Sequence, residues 1–462
     1  MRDRAGDAEK MVKYLQELVH AYQEIENRFP LAESDGKYSS LVTANGSWRY
    51  PIQRWFHLKE GFSVDLLEAL LGEWSIPVES VHRVLDPFCG VGTTLLACHR
   101  IAKKYPGHHL EALGLERNPF LQFVSETKLR WHEYDTDTVR SQAASLLDGA
   151  AIATGNRIPS LSTLHRKDVY DPKDLRHLLG VRQAIRHQLY GQSEKDSLLL
   201  GYASALEAVS GVRKDGRALR IVPDKQRLAV SAALASAWDM IVEDLSVAAE
   251  YFQPIEARAL LGDGRTLAVD STPSYETGQF DLILYSPPYL NNIDYTEVYK
   301  IELWMCGFVS TADEFRELRY KTFRSHPSVR FPDPITMNED IRMQEVEGAL
   351  DVLIRALPKD QNLAWRTGLF RGYFDDMYIS LKHQLEALVP GGWIFCVVGN
   401  SLHGPRDNPR TRVPVASDLL VALIAESLGL EVKAIQVARY LRRRSPNSRY
   451  LRESILVMQK RC

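Results

Sequence analysis

Short apolar runs alternate along the chain with longer amphipathic segments. Runs typical of buried strands lie at residues 82–86, 110–115, 257–262, 280–285, 393–399, 431–438 and 453–459. Segments with helical periodicity, such as 227–249 and 373–388, lie between several of these runs. Because strands that alternate with helices form sheets covered on both faces, the pattern predicts a doubly wound α/β domain with a mostly parallel, seven-stranded sheet.

Two long segments interrupt this alternation and are predicted to be insertions. The first is mostly helical, and the second begins at the loop that follows the fourth predicted strand. Ahead of the sheet we expect an N-terminal helix followed by an arm rich in aromatic residues. The predicted division is therefore arm 1–58, sheet domain 59–119 with 257–289 and 372–462, and insertions 120–256 and 290–371.

The fourth predicted strand runs directly into Ser286-Pro287-Pro288-Tyr289. Two consecutive prolines fix φ and remove two N–H donors, so the chain leaves the strand as a rigid extended loop. The Ser286 hydroxyl and the Pro287 carbonyl can both accept from one NH₂ group, and the Tyr289 ring offers a flat surface for a base. An ordinary Pro-Pro loop would have the same sequence, so this motif alone does not decide the function.

The first predicted strand leads into a second loop with the sequence Asp86-Pro-Phe88-Cys-Gly90-Val-Gly92-Thr93-Thr94. Its two glycines allow close approach of the backbone to a ligand, and the N–H groups of the following helix suit a carboxylate. Asp86 would face the ammonium group of the same ligand. The loop lacks the third glycine of a dinucleotide site and the Gly-Lys-Ser/Thr of a Walker loop, which makes nucleotide-phosphate binding the weaker interpretation.

Together these two loops resemble the motifs of the DNA amino-methyltransferases, and the resemblance covers most of the chain. It implies a Rossmann-like methyltransferase sheet, S-adenosylmethionine as cofactor and DNA as substrate. It further implies direct transfer of a methyl group to the exocyclic amine of a flipped base, with Ser286, Pro287, Pro288 and Tyr289 as the catalytic loop. A serine in the first position goes mostly with cytosine N4, so that target is expected before adenine N6.

The resemblance also implies further cofactor contacts besides Phe88 and the glycine loop. Glu116, at a strand end, would bind both ribose hydroxyls, and Asp263 would accept from the adenine amine. Lys59 or Ser63, just ahead of the glycine loop, would hold the methionine carboxylate. Two of these positions have an alternative interpretation: Glu116 as a surface acid, and Asp263 as part of an ordinary Asp-Gly turn.

Contacts to nucleic acid are predicted at two places. Asn291 and Asn292 follow the catalytic loop directly, and this adjacency favours a substrate role. Residues 436–452 contain six arginines and no acid, with Arg442, Arg443 and Arg444 at the centre. Such a run favours contact with phosphates over a solvated loop.

Composition restricts the remaining possibilities. A net charge of −2 gives no global sign of nucleic-acid binding, so any such surface is local. The five cysteines show no Cys-x-x-Cys, which argues against a zinc site, and no Pro-Cys pair, which argues against methylation of cytosine C5. With a charged N-terminus and no apolar run of 18 residues, a cytoplasmic protein without a membrane span is expected.

Three alternatives to a cytosine-N4 enzyme remain open from the sequence. An adenine-N6 enzyme would share every motif, and an RNA N-methyltransferase uses a similar sheet and loop. A catalytically silent nucleic-acid-binding subunit would usually have lost one motif, whereas both are intact here. A separate restriction or defence subunit is a partner that the resemblance suggests.

Overall fold

The computed structural model describes most of the chain. The described residues are 2–149, 158–188, 192–214, 218–270, 278–291, 293–358, 361–404, 412–441 and 448–462.

The helices of the described residues are α1 (Arg2–Glu26), α2 (Leu66–Glu73), α3 (Thr93–Lys104), α4 (Pro119–Leu129), α5 (Thr136–Gly149), α6 (Pro172–Gln188), α7 (Gln192–Val209), α8 (Val230–Tyr251), α9 (Tyr295–Val298), α10 (Lys300–Met305), α11 (Ala312–Tyr320), α12 (Gln344–Ala356), α13 (Leu363–Ala387) and α14 (Ser417–Ser427). The strands are β1 (Leu31–Glu33), β2 (Arg83–Asp86), β3 (Glu111–Glu116), β4 (Val212–Lys214), β5 (Leu219–Ile221), β6 (Glu256–Asp263), β7 (Ala268–Val269), β8 (Phe280–Tyr285), β9 (Leu388–Gly399), β10 (Ser401–His403), β11 (Val413–Val415), β12 (Glu431–Tyr440) and β13 (Arg452–Gln459). None of these helices is long and apolar enough to cross a membrane.

One large sheet forms the centre of the molecule, with strand order β1-β12-β13-β9-β8-β2-β3-β6-β7. The five strands from β9 to β6 are parallel, and β13 is antiparallel to both of its neighbours. The α/β class and the mostly parallel sheet are confirmed. All seven predicted strands are present, and the short strands β1 and β7 add one at each edge.

Both faces of the sheet are buried, which explains the continuous apolar runs of its strands. Side chains of a strand alternate between faces, so Leu282 and Leu284 of β8 belong to one hydrophobic cluster and Ile283 and Tyr285 to the other. All four are fully buried. Because β2, β3, β6 and β8 are parallel, the loops that follow them all begin at the carboxyl ends of the strands. These loops therefore emerge on one side of the sheet, from a rigid base.

The strand β9 begins earlier than its apolar run suggests. We expected Pro390-Gly391-Gly392 to precede the strand, but β9 already starts at Leu388. The pairing with β8 shifts register here, from Phe280 opposite Leu388 to Leu282 opposite Trp393, and Gly391 has φ 77°. The glycines therefore form an irregularity inside the strand instead of a turn before it.

The segments between sheet strands are mostly helical. Helices α4–α8 and the small hairpin β4-β5 lie between β3 and β6, and α9–α13 lie between β8 and β9. The N-terminal arm returns to the core: Lys128 of α4 is 1% exposed, and its Nζ donates to the carbonyls of Gln53 (2.9 Å) and Phe56 (3.0 Å). The arm is thereby held beside the sheet edge where the loops emerge.

Candidate active site

A cavity of about 360 Å³ opens where the parallel strands β2, β3, β6 and β8 end. Its walls include residues from both sequence motifs, so the glycine loop and the proline loop open on the same side of the sheet. Ten of the predicted site residues line it: Lys59, Phe88, Gly90, Glu116, Asp263, Ser286, Pro287, Pro288, Tyr289 and Asn291. Five others do not line it: Ser63, Asp86, Gly92, Thr93 and Thr94.

The glycine loop is shaped by Asp86, which lies behind the cavity wall and is 2% exposed. Its carboxylate accepts from the hydroxyl of Thr94 (2.6 Å) and from the backbone N–H of Phe88 (3.0 Å). Burial raises the pKa of Asp86 to about 7. In this arrangement Asp86 fixes the bend between β2 and α3, whereas the sequence suggested a direct contact with the ligand.

The bend also needs glycine for conformational reasons. Gly90 has φ 52° and Gly92, which precedes α3, has φ 81°, both in the left-handed region. A Cβ at Gly92 would lie only 2.4 Å from the hydroxyl oxygen of Ser125 in α4. Tight packing of α3 against α4 therefore depends on the absence of a side chain there.

Glu116, at the carboxyl end of β3, forms the adjacent wall. Its two carboxylate oxygens accept from the backbone N–H groups of Gly90 (3.0 Å) and Asn118 (2.7 Å). Burial raises the pKa of Glu116 to about 7. The carboxylate thus connects the glycine loop to the end of the next strand, with lone pairs still available for a ligand's hydroxyls.

Asp263, at the end of β6, lines the cavity but already has a partner. Arg265 binds it with Nε and Nη2, at 3.0 Å and 2.8 Å to the two carboxylate oxygens, and a further nitrogen of Arg265 lies 3.2 Å from Asp376. Arg265, which the sequence analysis did not single out, lines the cavity as well. A ligand that binds Asp263 would therefore share its carboxylate with Arg265.

In the segment before α2, Lys59 and Glu60 line the cavity, whereas Ser63 does not. Lys59 is exposed at the cavity, and its Nζ donates to the carbonyl of Lys214 in β4. Ser63 is 2% exposed, and its Oγ lies 3.3 Å from the backbone nitrogen of Asp65, so it orders the start of α2. Glu60, unpredicted from the sequence, also lines the cavity, and burial raises its pKa.

The proline loop forms the opposite wall. Ser286 Oγ lies 3.1 Å from the hydroxyl oxygen of Tyr289 and 3.1 Å from the carbonyl oxygen of Val397 in β9. The Tyr289 ring packs on Gly399 at the end of β9, where a Cβ would lie 2.7 Å from two ring carbons. The ring is therefore seated on bare backbone, in a position that a larger residue at 399 would not permit.

No family model matches the chain. Among individual proteins, it is 24% identical to the Type II methyltransferase M.AvaI of Nostoc sp. and of Anabaena variabilis, covering 92% of this chain and 89% of theirs. It is also 24% identical to the Type II methyltransferase M.BsoBI of Geobacillus stearothermophilus, over 60% of this chain and 57% of that one. The chain is thus similar to Type II methyltransferases, in the case of M.AvaI over most of its length.

Solved structures add little to this relationship. TrmN from Thermus thermophilus aligns over 86% of this chain and 48% of its own, with a TM-score of 0.25 and 13% identity. The rRNA methyltransferase AviRa from Streptomyces viridochromogenes aligns over 91% and 89%, with a TM-score of 0.25 and 11% identity. The methyltransferase fold is instead evident from the strand order and the cavity of the chain itself.

The similarity to Type II methyltransferases implies S-adenosylmethionine as the methyl donor. The cavity fits it, because about 360 Å³ is within the ordinary range of small-molecule sites, about 300–1,000 Å³. The positive φ of Gly90 brings backbone to the wall, and Glu116 and Asp263 offer acceptors at neighbouring strand ends. Among the described residues, no group of side chains suited to a metal ion is present.

Glu453 in β13, which was not predicted from the sequence, completes the proline-loop wall. Its Oε1 accepts from the Tyr289 hydroxyl at 2.9 Å, and its Oε2 pairs with Arg439 Nε of β12 at 2.5 Å. Glu453 pairs across the sheet with Gly399 and with Arg439. Only the strand order brings these residues beside Tyr289, so no local signal in the sequence marks them.

The predicted nucleic-acid contacts have different outcomes. Asn291 lines the cavity, and its Oδ1 accepts from the Ile293 N–H at 3.2 Å. Asn292, Arg442, Arg443 and Arg444 lie outside the described residues.

Other arginines of the run 436–452 are paired within the chain. Arg452 is 2% exposed and binds Asp418 at 2.6 Å, and Arg449 binds Glu26 at 2.5 Å. Arg439 is likewise paired, with Glu453. The acidic partners of Arg449 and Arg452 lie 34 to 426 positions away, so the composition of the run does not reveal these pairs. Phosphate contact by Arg442, Arg443 and Arg444 stays a prediction.

Proposed function

We propose that this methyltransferase methylates the N4 amine of cytosine in DNA at a specific sequence. The observation that carries the proposal is the single cavity shared by the glycine loop and the Ser286-Pro-Pro-Tyr289 loop. The similarity to Type II methyltransferases over nearly the whole chain supports DNA as the substrate. Ser286 in the first position of the proline loop favours cytosine N4 over adenine N6.

The cofactor would occupy the side of the cavity formed by the glycine loop. Gly90 and Phe88 would contact it, Glu116 would accept from its ribose hydroxyls, and Asp263 would accept from its adenine amine. Lys59, one of the cations that line the cavity, would face its carboxylate. When bound, S-adenosylmethionine supplies a methyl group activated by a positively charged sulfur.

The proline loop would hold the target base. A cytosine rotated out of the duplex, at an unstacking cost of about a few kcal/mol, would stack on Tyr289. The Ser286 hydroxyl and the Pro287 carbonyl would accept from its amine and so direct the nitrogen lone pair toward the methyl group. Contacts of Asn291, Asn292 and Arg442–Arg444 with DNA would offset the cost of rotation.

Orientation is the main contribution of the protein in this scheme. No strong base has to act before transfer, because the positive charge that arrives on nitrogen makes its protons acidic. These protons leave afterwards to water. A closed, largely dry cavity favours transfer, because charge becomes more dispersed as the reaction proceeds.

The test is analysis of modified nucleosides in DNA from a methylation-free host that expresses the protein. We expect N4-methylcytosine at one sequence motif, with the motif read by sequencing. Ser286→Ala should lower the methylation rate about tenfold to hundredfold, since one hydrogen bond to the amine is lost. Ser246→Ala, at an exposed serine of α8, is the matched control and should not change the rate.

Three results would contradict parts of the proposal. N6-methyladenine in place of N4-methylcytosine would refute the base, and modification of RNA alone would refute the substrate. An undiminished rate in Ser286→Ala, with S-adenosylhomocysteine still bound, would refute the catalytic loop.

A further inference from the structure

Glu60 differs from the other acids of the cavity because its carboxylate has no partner. The three other acids that line the cavity are occupied: Glu116, Asp263 and Glu453. The first accepts from two backbone N–H groups, and the other two pair with arginines. Among the residues that the structure describes, no other residue forms an ion pair or hydrogen bond with the carboxylate of Glu60.

The cations close to Glu60 bind elsewhere. Burial raises the pKa of Glu60, and its own backbone N–H and the charges of Lys59 and Lys214 lower it only in part. Lys59 Nζ donates to the carbonyl of Lys214, and Lys214 Nζ binds Glu302 at 2.5 Å. A buried carboxylate in this state gains from a counter-ion, and the ligand is left to supply it.

The turn that carries Glu60 packs against the glycine loop. The Gly61 N–H donates to the Leu58 carbonyl at 3.2 Å, so Lys59 and Glu60 occupy the two central positions of a turn. Leu58 touches the glycine loop, since a Cβ at Gly90 would lie 3.0 Å from Leu58 Cδ2. Both central side chains of the turn line the cavity. Glu60 is therefore on the side of the cavity where the cofactor is proposed to bind.

The effect of Glu60 on Tyr295 shows that its charge acts inside this cavity. Burial raises the pKa of Tyr295, and the charges of Glu60 and Glu116 raise it further. Tyr295 itself lines the cavity. The two acids thus act on one region, from the loop before α2 and from the end of β3. Glu116 is the proposed partner of the ribose, and the methionine chain of the cofactor is attached to that ribose.

The methionine end of S-adenosylmethionine carries an ammonium group next to a carboxylate. From the sequence, Asp86 would face the ammonium group, but Asp86 is 2% exposed and does not line the cavity. Its carboxylate already accepts from Thr94 and Phe88. Another acid has to take this place, and the neighbours Lys59 and Glu60 offer one charge for each group of the methionine end.

We infer that Glu60 binds the ammonium group of S-adenosylmethionine, while Lys59 faces the carboxylate. This inference rests on the proposed cofactor site. The ammonium group would provide the counter-ion that Glu60 lacks, in a hydrogen bond strengthened by both charges. Glu60 would thereby hold the methionine end of the cofactor against the glycine loop.

The experiment compares three ligands that differ only in the amino-acid end. S-adenosylhomocysteine has both charged groups, its deamino analogue has hydrogen in place of the ammonium group, and 5′-methylthioadenosine lacks the whole end. Dissociation constants are measured by calorimetry at about pH 8, where a carboxyl group with a moderately raised pKa is ionised. The wild type should bind S-adenosylhomocysteine at least about tenfold more tightly than the deamino analogue.

Two variants of Glu60 separate charge from shape. Glu60→Gln keeps the size of the side chain and removes its charge, so the preference should fall below about threefold. Its affinity for 5′-methylthioadenosine should stay within about twofold of the wild type, because that ligand has no ammonium group. Glu60→Asp keeps the charge on a shorter side chain and should restore the preference to about threefold or more.

The control variant is Glu431→Gln, which alters an exposed acid at the start of β12 that pairs with Lys433 at 2.7 Å. It should keep the wild-type preference. If Glu60→Gln fails to fold, as judged by its melting curve, the wild-type preference and Glu60→Asp decide the result.

The outcomes separate this inference from the proposed cofactor site. A wild type that binds none of the three ligands would refute the cofactor site itself. A wild type that binds S-adenosylhomocysteine and the deamino analogue equally would refute only the inference. So would a Glu60→Gln variant that binds all three ligands more weakly by the same factor, since a purely structural role does not distinguish them.

A fourth ligand distinguishes the two cations of the cofactor. S-adenosylmethionine carries a sulfonium that S-adenosylhomocysteine lacks. If Glu60→Gln changed the ratio of these two affinities and kept the wild-type preference over the deamino analogue, Glu60 would face the sulfonium, and the assignment to the ammonium group would be wrong.

Discussion

Glu116 is a carboxylate whose ionisation should govern cofactor binding near neutral pH. Burial raises its pKa to about 7, and its ionised form is the better acceptor for ribose hydroxyls. The affinity for S-adenosylhomocysteine should therefore rise as the pH increases through about 7 and level off above it. Below that pKa each pH unit should cost up to about tenfold in affinity, because only the ionised fraction binds well.

Calorimetric titration from pH 6 to 8.5 measures this dependence. Glu116→Gln cannot ionise, so it should bind more weakly at high pH and with little change across the range. If the variant kept the full wild-type dependence, the titrating group would be another buried carboxyl: Asp86, whose pKa burial also raises to about 7, or Glu60, whose pKa burial raises as well.

At the scale of elements, the junction between the glycine loop and α3 should not tolerate a side chain. Gly92→Ala would have to adopt φ 81° and would place Cβ 2.4 Å from Ser125 Oγ. We expect a loss of about 1–3 kcal/mol in the free energy of unfolding, seen as a lower melting temperature. Cofactor binding should weaken as well, because α3 carries the loop.

Gly348 in α12 is the matched control. No atom lies within 4 Å of a Cβ built there, and its φ is not positive. Gly348→Ala should raise the stability by about 0.5–1 kcal/mol, as alanine does in an unobstructed helix. Equal melting temperatures for the two variants would contradict the role assigned to Gly92.

Whether a strand can be predicted from the sequence depends on its length and on how it is buried. The seven central strands are apolar on both faces, so their sequences alone mark them. By contrast, β1 and β7 have three and two residues, too few for a periodic signal. The helix α13 begins ten residues before the predicted segment 373–388, at Leu363.

The predictability of site residues follows a similar division. Residues within one loop, such as Ser286 and Gly90, were predicted because their spacing carries the signal. Glu453 depends on a contact with Tyr289 across 164 positions, and no local pattern reports such a contact. Arg265 pairs with Asp263 two positions away, but its contact with Asp376 spans 111 positions.

At the scale of the whole molecule, cofactor binding should stabilise the folded state. The cavity is assembled from the ends of several strands, so the unfolded chain has no equivalent site. A ligand at 100 times its dissociation constant should add about 2.7 kcal/mol, and the melting temperature should rise by several degrees. Thermal denaturation with S-adenosylhomocysteine measures this shift.

The same measurement has an internal control. Glu116→Gln should show a smaller shift at the same ligand concentration, while Glu431→Gln should show the full one. Identical melting curves of the wild type with and without S-adenosylhomocysteine would argue against the cavity as the cofactor site.

The position of Glu453 in β13 also has a consequence for biosynthesis. Tyr289 of the proline loop is synthesised before its partner Glu453, which follows 164 residues later. At a synthesis rate of about 5–20 residues per second, Glu453 is added roughly ten to thirty seconds after Tyr289. The hydrogen bond that holds the Tyr289 hydroxyl in the cavity wall therefore cannot form until β13 has been synthesised.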